Sequence, residues 1–302
     1  MDGASQNKPL WRAIWDFPLI ALIVATLIMG GVLFATGYGL QALLDGMEPL
    51  HARAIGAVVI TVLSILLCKY VITHLGELGR DDLVWGEAPK DLALGTLGAA
   101  GLMSLIFAIV YVLGGYEVLG WGGMTSWISL LFLAGLQAGF VEEVIFRGIF
   151  FRYLEEFGGS WFALVLTSAF FGFGHAANDN ATLLSSLSIA AGAGILLGGA
   201  YMLTRSLWLP IGIHFGWNVT QGFVWDVPVS GNDVDGILDT QPTGAELISG
   251  GAFGLEASLV GLFMTVFVGV VILVAAIRKG ELMRPWWVRR RLAREAALAD
   301  AN

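Results

Sequence analysis

Residues 17–44 read FPLIALIVATLIMGGVLFATGYGLQALL, a run with no Asp, Glu, Lys or Arg. A helix needs about 20 apolar residues to cross the hydrocarbon core of a bilayer. This run is too long for the apolar core of a signal peptide, and no small-residue cleavage site of the A-x-A kind follows it. It therefore reads as a retained membrane anchor. Outward from it, charge-poor runs recur at 54–76, broken only by Lys69, and at 92–116, 118–141, 157–174, 180–204, 206–225 and 257–277. The run at 118–141 continues as apolar helix through Val144, Ile145, Phe146, Ile149 and Phe150. Barrel strands would alternate over about ten residues, and these runs do not. The expected fold is all-α: one polytopic membrane domain, residues 1–302, with eight transmembrane helices.

Composition agrees. The chain is 57% hydrophobic and 13% charged, with a mean hydropathy of +0.77. A soluble domain carries about 45–50% apolar and about 25% charged residues. So little charge cannot cover a water-soluble fold, and so much apolar side chain excludes disorder. The 41 glycines suit close helix–helix approach in lipid. One cysteine, Cys68, rules out an intramolecular disulfide or a cysteine-based zinc cluster. A net charge of −8 argues against nucleic-acid binding.

Orientation follows from the basic residues. With both termini cytoplasmic, 15 of the 16 Lys and Arg residues fall inside, from Lys8 and Arg12 to Arg294, and only Arg53 falls outside. Residues 226–256 then form an extracytoplasmic acidic loop, with Asp226, Asp233, Asp235, Asp239, Glu246 and Glu256 and no basic residue. Residues 279–302 form a basic cytoplasmic tail. Its stretch RPWWVRRRLAREAALADAN (284–302) reads as an interfacial anchor on anionic membrane lipids. Residues 77–91 read as a short interfacial segment.

Ionisable groups at membrane depth are costly, and they are functional candidates by default. They gather at Glu142-Glu143-Val144-Ile145-Phe146-Arg147, at Phe171…His175 and at His214…Asn218. Glu143 and Arg147 are i, i+4, so they share a helical face and can neutralise each other. Glu142 lies about 100° around the helix, away from that cation. His214 and Asn218 share a face, as do Phe171 and His175. Three helices can thus aim Glu142, His175, His214 and Asn218 at one cavity. That is a hydrolytic set of base, water holder and oxyanion donors. Structural readings stand beside it. A membrane histidine commonly serves as a helix–helix hydrogen-bond partner, and an i, i+4 ion pair needs no catalytic purpose. Lys69 and His74 read as snorkelling near a helix end. Trp208, Trp217, Trp225 and Phe171 read as packing, and Asn178-Asp179-Asn180 as a loop and helix cap. Counting depth from the run ends puts Glu142 late in an inward helix and His175 late in an outward one, so they meet only if those helices are staggered or tilted.

The three motifs, in this order on successive helices, resemble the CPBP family. That family contains the type II CAAX prenyl proteases of the Rce1 kind and their bacterial relatives, the bacteriocin-processing and Abi proteins. Its pattern is EExxxR, then FxxxH, then HxxxN or HxxxD. The likeness is strongest over 120–225, and SLWLPIGIHFGWN (206–218) is similar to the bacterial branch. The resemblance implies an intramembrane endopeptidase of the bacterial inner membrane acting on a membrane-associated or lipidated protein or peptide. Glu142 would activate water and His175 would help hold it. His214 and Asn218 would line the oxyanion site, with Glu143 and Arg147 in support. No H-E-x-x-H is present, which favours a glutamate mechanism without cofactor. A zinc site on Glu142, His175 and His214 is the alternative. The rival classes are a proton-coupled secondary transporter, against which no inverted repeat or paired broken helices are visible, and a non-catalytic membrane scaffold.

Overall fold

The computed structural model describes residues 9–300. Lys8 and the last two residues of the basic tail lie outside the described residues. The fold is an all-α membrane bundle. Seven helices are long and apolar enough to cross a membrane: α1 (Pro18–Leu43), α2 (Pro49–His74), α3 (Ala88–Val112), α4 (Ser129–Gly158), α5 (Ser160–Ala177), α6 (Leu183–Thr204) and α8 (Leu259–Lys279). The run at 206–225 forms α7 (Trp208–Val219), continued by a wide π-type turn, Thr220–Val224. At about 1.5 Å per residue this helix is shorter than the apolar layer. It sits inside protein, with Trp208, Ile211, His214 and Asn218 buried. A last helix, α9 (Trp286–Asp300), follows α8.

Local chemistry sets the helix ends. Proline stands in the first turn of α1, α2 and α3, where its missing N–H leaves nothing unpaired. The Glu48 carboxylate caps α2 by accepting from Leu50 and His51 N–H. Thr182 and Ser185 form a reciprocal capping box on α6, and Ser258 caps α8. The Asn178–Asn180 stretch is therefore not the α6 cap. Asn178 and Asn180 instead donate to the carbonyls of Ser230 and Gly231, fastening the 226–256 loop.

Helix α6 is the centre of the bundle, packed between α5 and α8, and 61% of its apolar window is buried against 17% for α1. Small residues allow this, because Gly192, Gly194, Gly198 and Gly199 face neighbouring helices. The outer helix α1 instead presents Ile23, Leu27, Phe34 and Tyr38 outward. The α3–α7 crossing is a close approach. A Cβ at Gly212 would sit 2.6 Å from the Leu92 carbonyl oxygen, and one at Gly216 would sit 2.5 Å from that of Thr96.

Two expected element bounds change. Residues 116–121 are not the start of a span but a strand, β1 (Tyr116–Trp121), paired antiparallel with β2 (Leu238–Pro242). Gly114, Gly115, Gly120, Gly122 and Gly123 crowd this stretch and disfavour helix, so α4 begins at Ser129. Helix α4 then runs 30 residues to Gly158, which makes Glu142 its fourteenth residue and places it mid-helix. The 77–91 segment is exposed over much of its length but anchored at its middle. Asp82 and Leu83 are fully buried, and Asp82 is gripped by Arg80, Arg152 and the Tyr201 hydroxyl. Lys69 pairs with Asp81 rather than reaching past it.

Candidate active site

Three helices supply the motif residues: α4 carries Glu142, Glu143 and Arg147, α5 carries Phe171 and His175, and α7 carries His214 and Asn218. Glu143 is their hub. Its Oε1 accepts from Arg147 Nη1 at 2.8 Å and lies 2.9 Å from His214 Nδ1, with Glu143 and Arg147 fully buried. The expected i, i+4 pair is present, but it is half of a three-way contact that ties α4 to α7. An ionised carboxylate only accepts, so His214 Nδ1 carries the proton and Nε2 is left as the free nitrogen.

His175 is fixed in the same sense. Its Nδ1 lies 2.7 Å from the Phe171 carbonyl oxygen, which also only accepts, so its free nitrogen is again Nε2. Phe171 sits between the partners. Its ring lies 4.6 Å from the Arg147 guanidinium, 4.9 Å from the His175 ring and 5.9 Å from the His214 ring. Phe171 therefore does more than pack. Its negative face helps hold a buried cation. Asn218 Nδ2 donates to the Ala134 carbonyl at 2.8 Å, which uses one of its two amide N–H groups. Trp217 lines the same cavity as the histidines, Trp208 is buried with its indole N–H on the Val84 carbonyl, and Trp225 donates to Ser104.

The structure brings His175, His214 and Asn218 to one narrow cavity of about 50 Å³, beside Phe171, Ser188 and Glu256. It places Glu142 elsewhere, on the wall of a larger cavity of about 840 Å³ between α1, α2 and α4 that also reaches Gln41, Arg53 and Gln137. Three of the four residues thus line one cavity and Glu142 lines another. Alternating α and wide π-type turns in α4 shift its side chains from the regular 100° progression. Glu142 remains close enough to interact electrostatically with both His214 and Arg147. Glu142 Oε2, Glu143 Oε2 and Arg147 Nε are all buried and have no hydrogen-bond partner among the described residues.

Among the described residues no three His, Cys, Asp or Glu side chains converge as a metal site would require. Glu142 faces a different cavity from the histidines, and His214 Nδ1 is held by Glu143.

Glu256 is the cavity residue that sequence reasoning missed. In the sequence it is one of the acids of the 226–256 loop, and nothing in its spacing sets it apart. Its carboxylate accepts from Gln221 Nε2 and from the Ser230 N–H and hydroxyl. Burial pushes its pKa up to about 7, against the pull of those donors. Since the folded-state pKa lies above the ordinary 4.5, the native state keeps a proton that the unfolded chain has lost, and stability falls as pH rises between these values. The melting temperature of wild type relative to Glu256→Gln should therefore drop from about pH 4.5 to about pH 7 and then level off. A difference that does not change with pH would refute this.

The family model described as Type II CAAX prenyl endopeptidase Rce1-like matches residues 123–220. The Bacillus subtilis (strain 168) protein named "Putative membrane peptidase YdiL" is 28% identical over 262 residues, covering 82% of this chain and 99% of that protein. No solved structure matches the chain. The matched segment holds α4, α5 and α7 with all three motifs, and the alignment to the relative extends the likeness over most of the bundle, so the chain is similar to the Rce1-like proteins in the helices that carry its buried polar residues.

Proposed function

We propose that this chain is an intramembrane endopeptidase that hydrolyses peptide bonds of a membrane-associated or lipidated protein or peptide with a glutamate-activated water. The observation that carries this reading is the set of unpartnered buried atoms on α4: Glu142 Oε2, Glu143 Oε2 and Arg147 Nε. Buried polar atoms that protein leaves unpaired are satisfied by water or substrate. Hydrolysis inside a membrane needs water held at such a place.

In this mechanism Glu142 takes a proton from water as it attacks the scissile carbonyl, and it returns that proton to the leaving amine. His175 Nε2 holds the water, since its Nδ1 is engaged by the Phe171 carbonyl. The second amide N–H of Asn218 meets the tetrahedral oxyanion, and His214 joins it as the imidazolium, whose Nε2–H donates to the oxyanion while its Nδ1–H stays on Glu143. A single donor of this kind is typically worth about 3 kcal/mol of transition-state stabilisation. Glu143 orients the His214 ring through Nδ1 and balances the charge of its protonated form. Glu142 and Glu143 are neighbours on α4, so a peptide lodged between the two cavities has the base on one side and the oxyanion donors on the other. The wide cavity beside Glu142 has room for an extended segment.

Two measurements test the reading. Reconstituted protein should cleave membrane-peptide substrates and drive no proton-coupled flux; flux without cleavage would favour a transporter. The purified protein should also carry no stoichiometric zinc and keep its activity in strong chelators, with His175→Ala and His214→Ala lowering turnover at constant metal content. About one zinc per chain, lost with activity in His175→Ala, would overturn the glutamate mechanism. We further propose that both termini are cytoplasmic. In a Cys68-free background, Asp235→Cys should label from the outside and Ala297→Cys from the cytoplasm. Labelling of Asp235→Cys from the cytoplasm alone would reverse this topology.

A further inference from the structure

A cleft of about 400 Å³ opens at one end of the bundle, remote from the motif residues. Four arginines line it, Arg80, Arg205, Arg284 and Arg289, together with a single acid, Glu281, and the Gly280 backbone. They come from four places in the chain. Arg80 follows α2, Arg205 is the left-handed C-cap of α6, Gly280 is the left-handed C-cap of α8, and Arg289 lies on α9. Three apolar helices end around this cleft, so it lies where the chain leaves the hydrocarbon layer. The tryptophans of α9 mark the same depth, with Trp286 against Phe17 and Trp287 against Phe157.

The arginines are not all neutralised. Arg80 is matched by Asp82, and Arg205 by Glu155 and Glu281. Arg289 donates Nη2 to the Glu156 carbonyl and stands 3.5 Å from Glu77, while its Nε is buried with no hydrogen-bond partner. Arg284 is exposed and forms no ion pair among the described residues. Two guanidinium groups thus have donors to offer, and the ion pairs of Arg80 and Arg205 hold the opposite wall in place. Each guanidinium presents a planar fork that matches a phosphate in a bidentate way. An oxyanion at this depth would meet Arg284 and Arg289 from one side and the fixed pair Arg80 and Arg205 from the other.

We propose that this cleft is a phosphate-binding site, filled by the headgroup of an anionic phospholipid or by a soluble phosphate. The site is specific to the cleft and differs from the general attraction of a basic tail to an anionic surface. The full chain in nanodiscs would be examined by native mass spectrometry with phosphatidylglycerol or phosphatidylcholine, and in lipid-free detergent with inorganic phosphate. Wild type should retain phosphatidylglycerol over phosphatidylcholine. Arg284→Gln and Arg289→Gln should each weaken retention about tenfold, as expected for one lost charge-assisted contact. Arg291→Gln and Arg294→Gln, on the exposed face of α9, should leave it unchanged. If inorganic phosphate binds in detergent with the same dependence on Arg284, the source is soluble and the site stands. Equal loss in the Arg291 and Arg294 variants would overturn the proposal, as would retention that ignores Arg284. Arg284 has no structural partner to lose, so its variant reads the site even if Arg289→Gln proves unstable.

Discussion

Glu142→Gln is expected to lower peptide hydrolysis by about 10²–10⁴-fold, the usual contribution of a positioned general base, with a melting temperature close to wild type. The substitution removes a carboxylate whose Oε2 has no protein partner, so no cation is stranded. Glu143→Gln should behave in the opposite way. Its Oε1 is shared by Arg147 and His214, and Arg147 is fully buried, so neutralising Glu143 leaves an uncompensated buried cation. Breaking such a pair costs about 3–5 kcal/mol. Activity in Glu143→Gln should fall as well, since His214 loses its orienting acceptor. Measuring cleavage and thermal stability on both variants decides the matter. If Glu142→Gln melts early while Glu143→Gln melts like wild type, the two roles are assigned the wrong way round.

A second large effect is expected outside the motifs. Arg152 is fully buried at the end of α4, where its Nη1 reaches Asp82 Oδ2 at 2.6 Å and the Arg80 carbonyl at 2.8 Å. Its Nη2 donates to the carbonyls of Ile72 and Leu78. Asp82 in turn accepts from Arg80 and from the Tyr201 hydroxyl of α6. Burial alone would raise the Asp82 pKa, and its pairing with Arg152 and Arg80 more than reverses this, holding it below the usual carboxylate range. This knot fastens the 75–87 connection to α4 and α6. Arg152→Met and Asp82→Leu should each lose about 3–5 kcal/mol, because each strands a buried charge or a set of carbonyls. The double variant should lose less than the sum, since the two residues share one interaction. Strict additivity in detergent unfolding would show that they act independently.

Much of the architecture was legible in the chain. Long charge-free runs determine that the backbone is helical, because in lipid only internal hydrogen bonding satisfies the peptide groups. The i, i+4 relation of Glu143 to Arg147 was legible for the same local reason, as was the shared face of Phe171 and His175. Sequence order also marked α4, α5 and α7 as the helices that hold the buried polar motif residues. Tertiary structure decided the rest. That Glu143 is shared with His214, 71 residues away, depends on how α7 crosses α4, and helical periodicity carries no information about crossing angle. Glu142 lies outside the histidine cavity because it sits one residue, about 100°, round α4 from Glu143, the residue that α7 brings against His214. Glu256 entered that cavity because a loop folded back over it, and Asp82 became a buried anchor because Arg152 and Arg80 came to meet it. Local spacing determined which side chains share a helix face; only the packing of helices and loops decided which faces share a cavity.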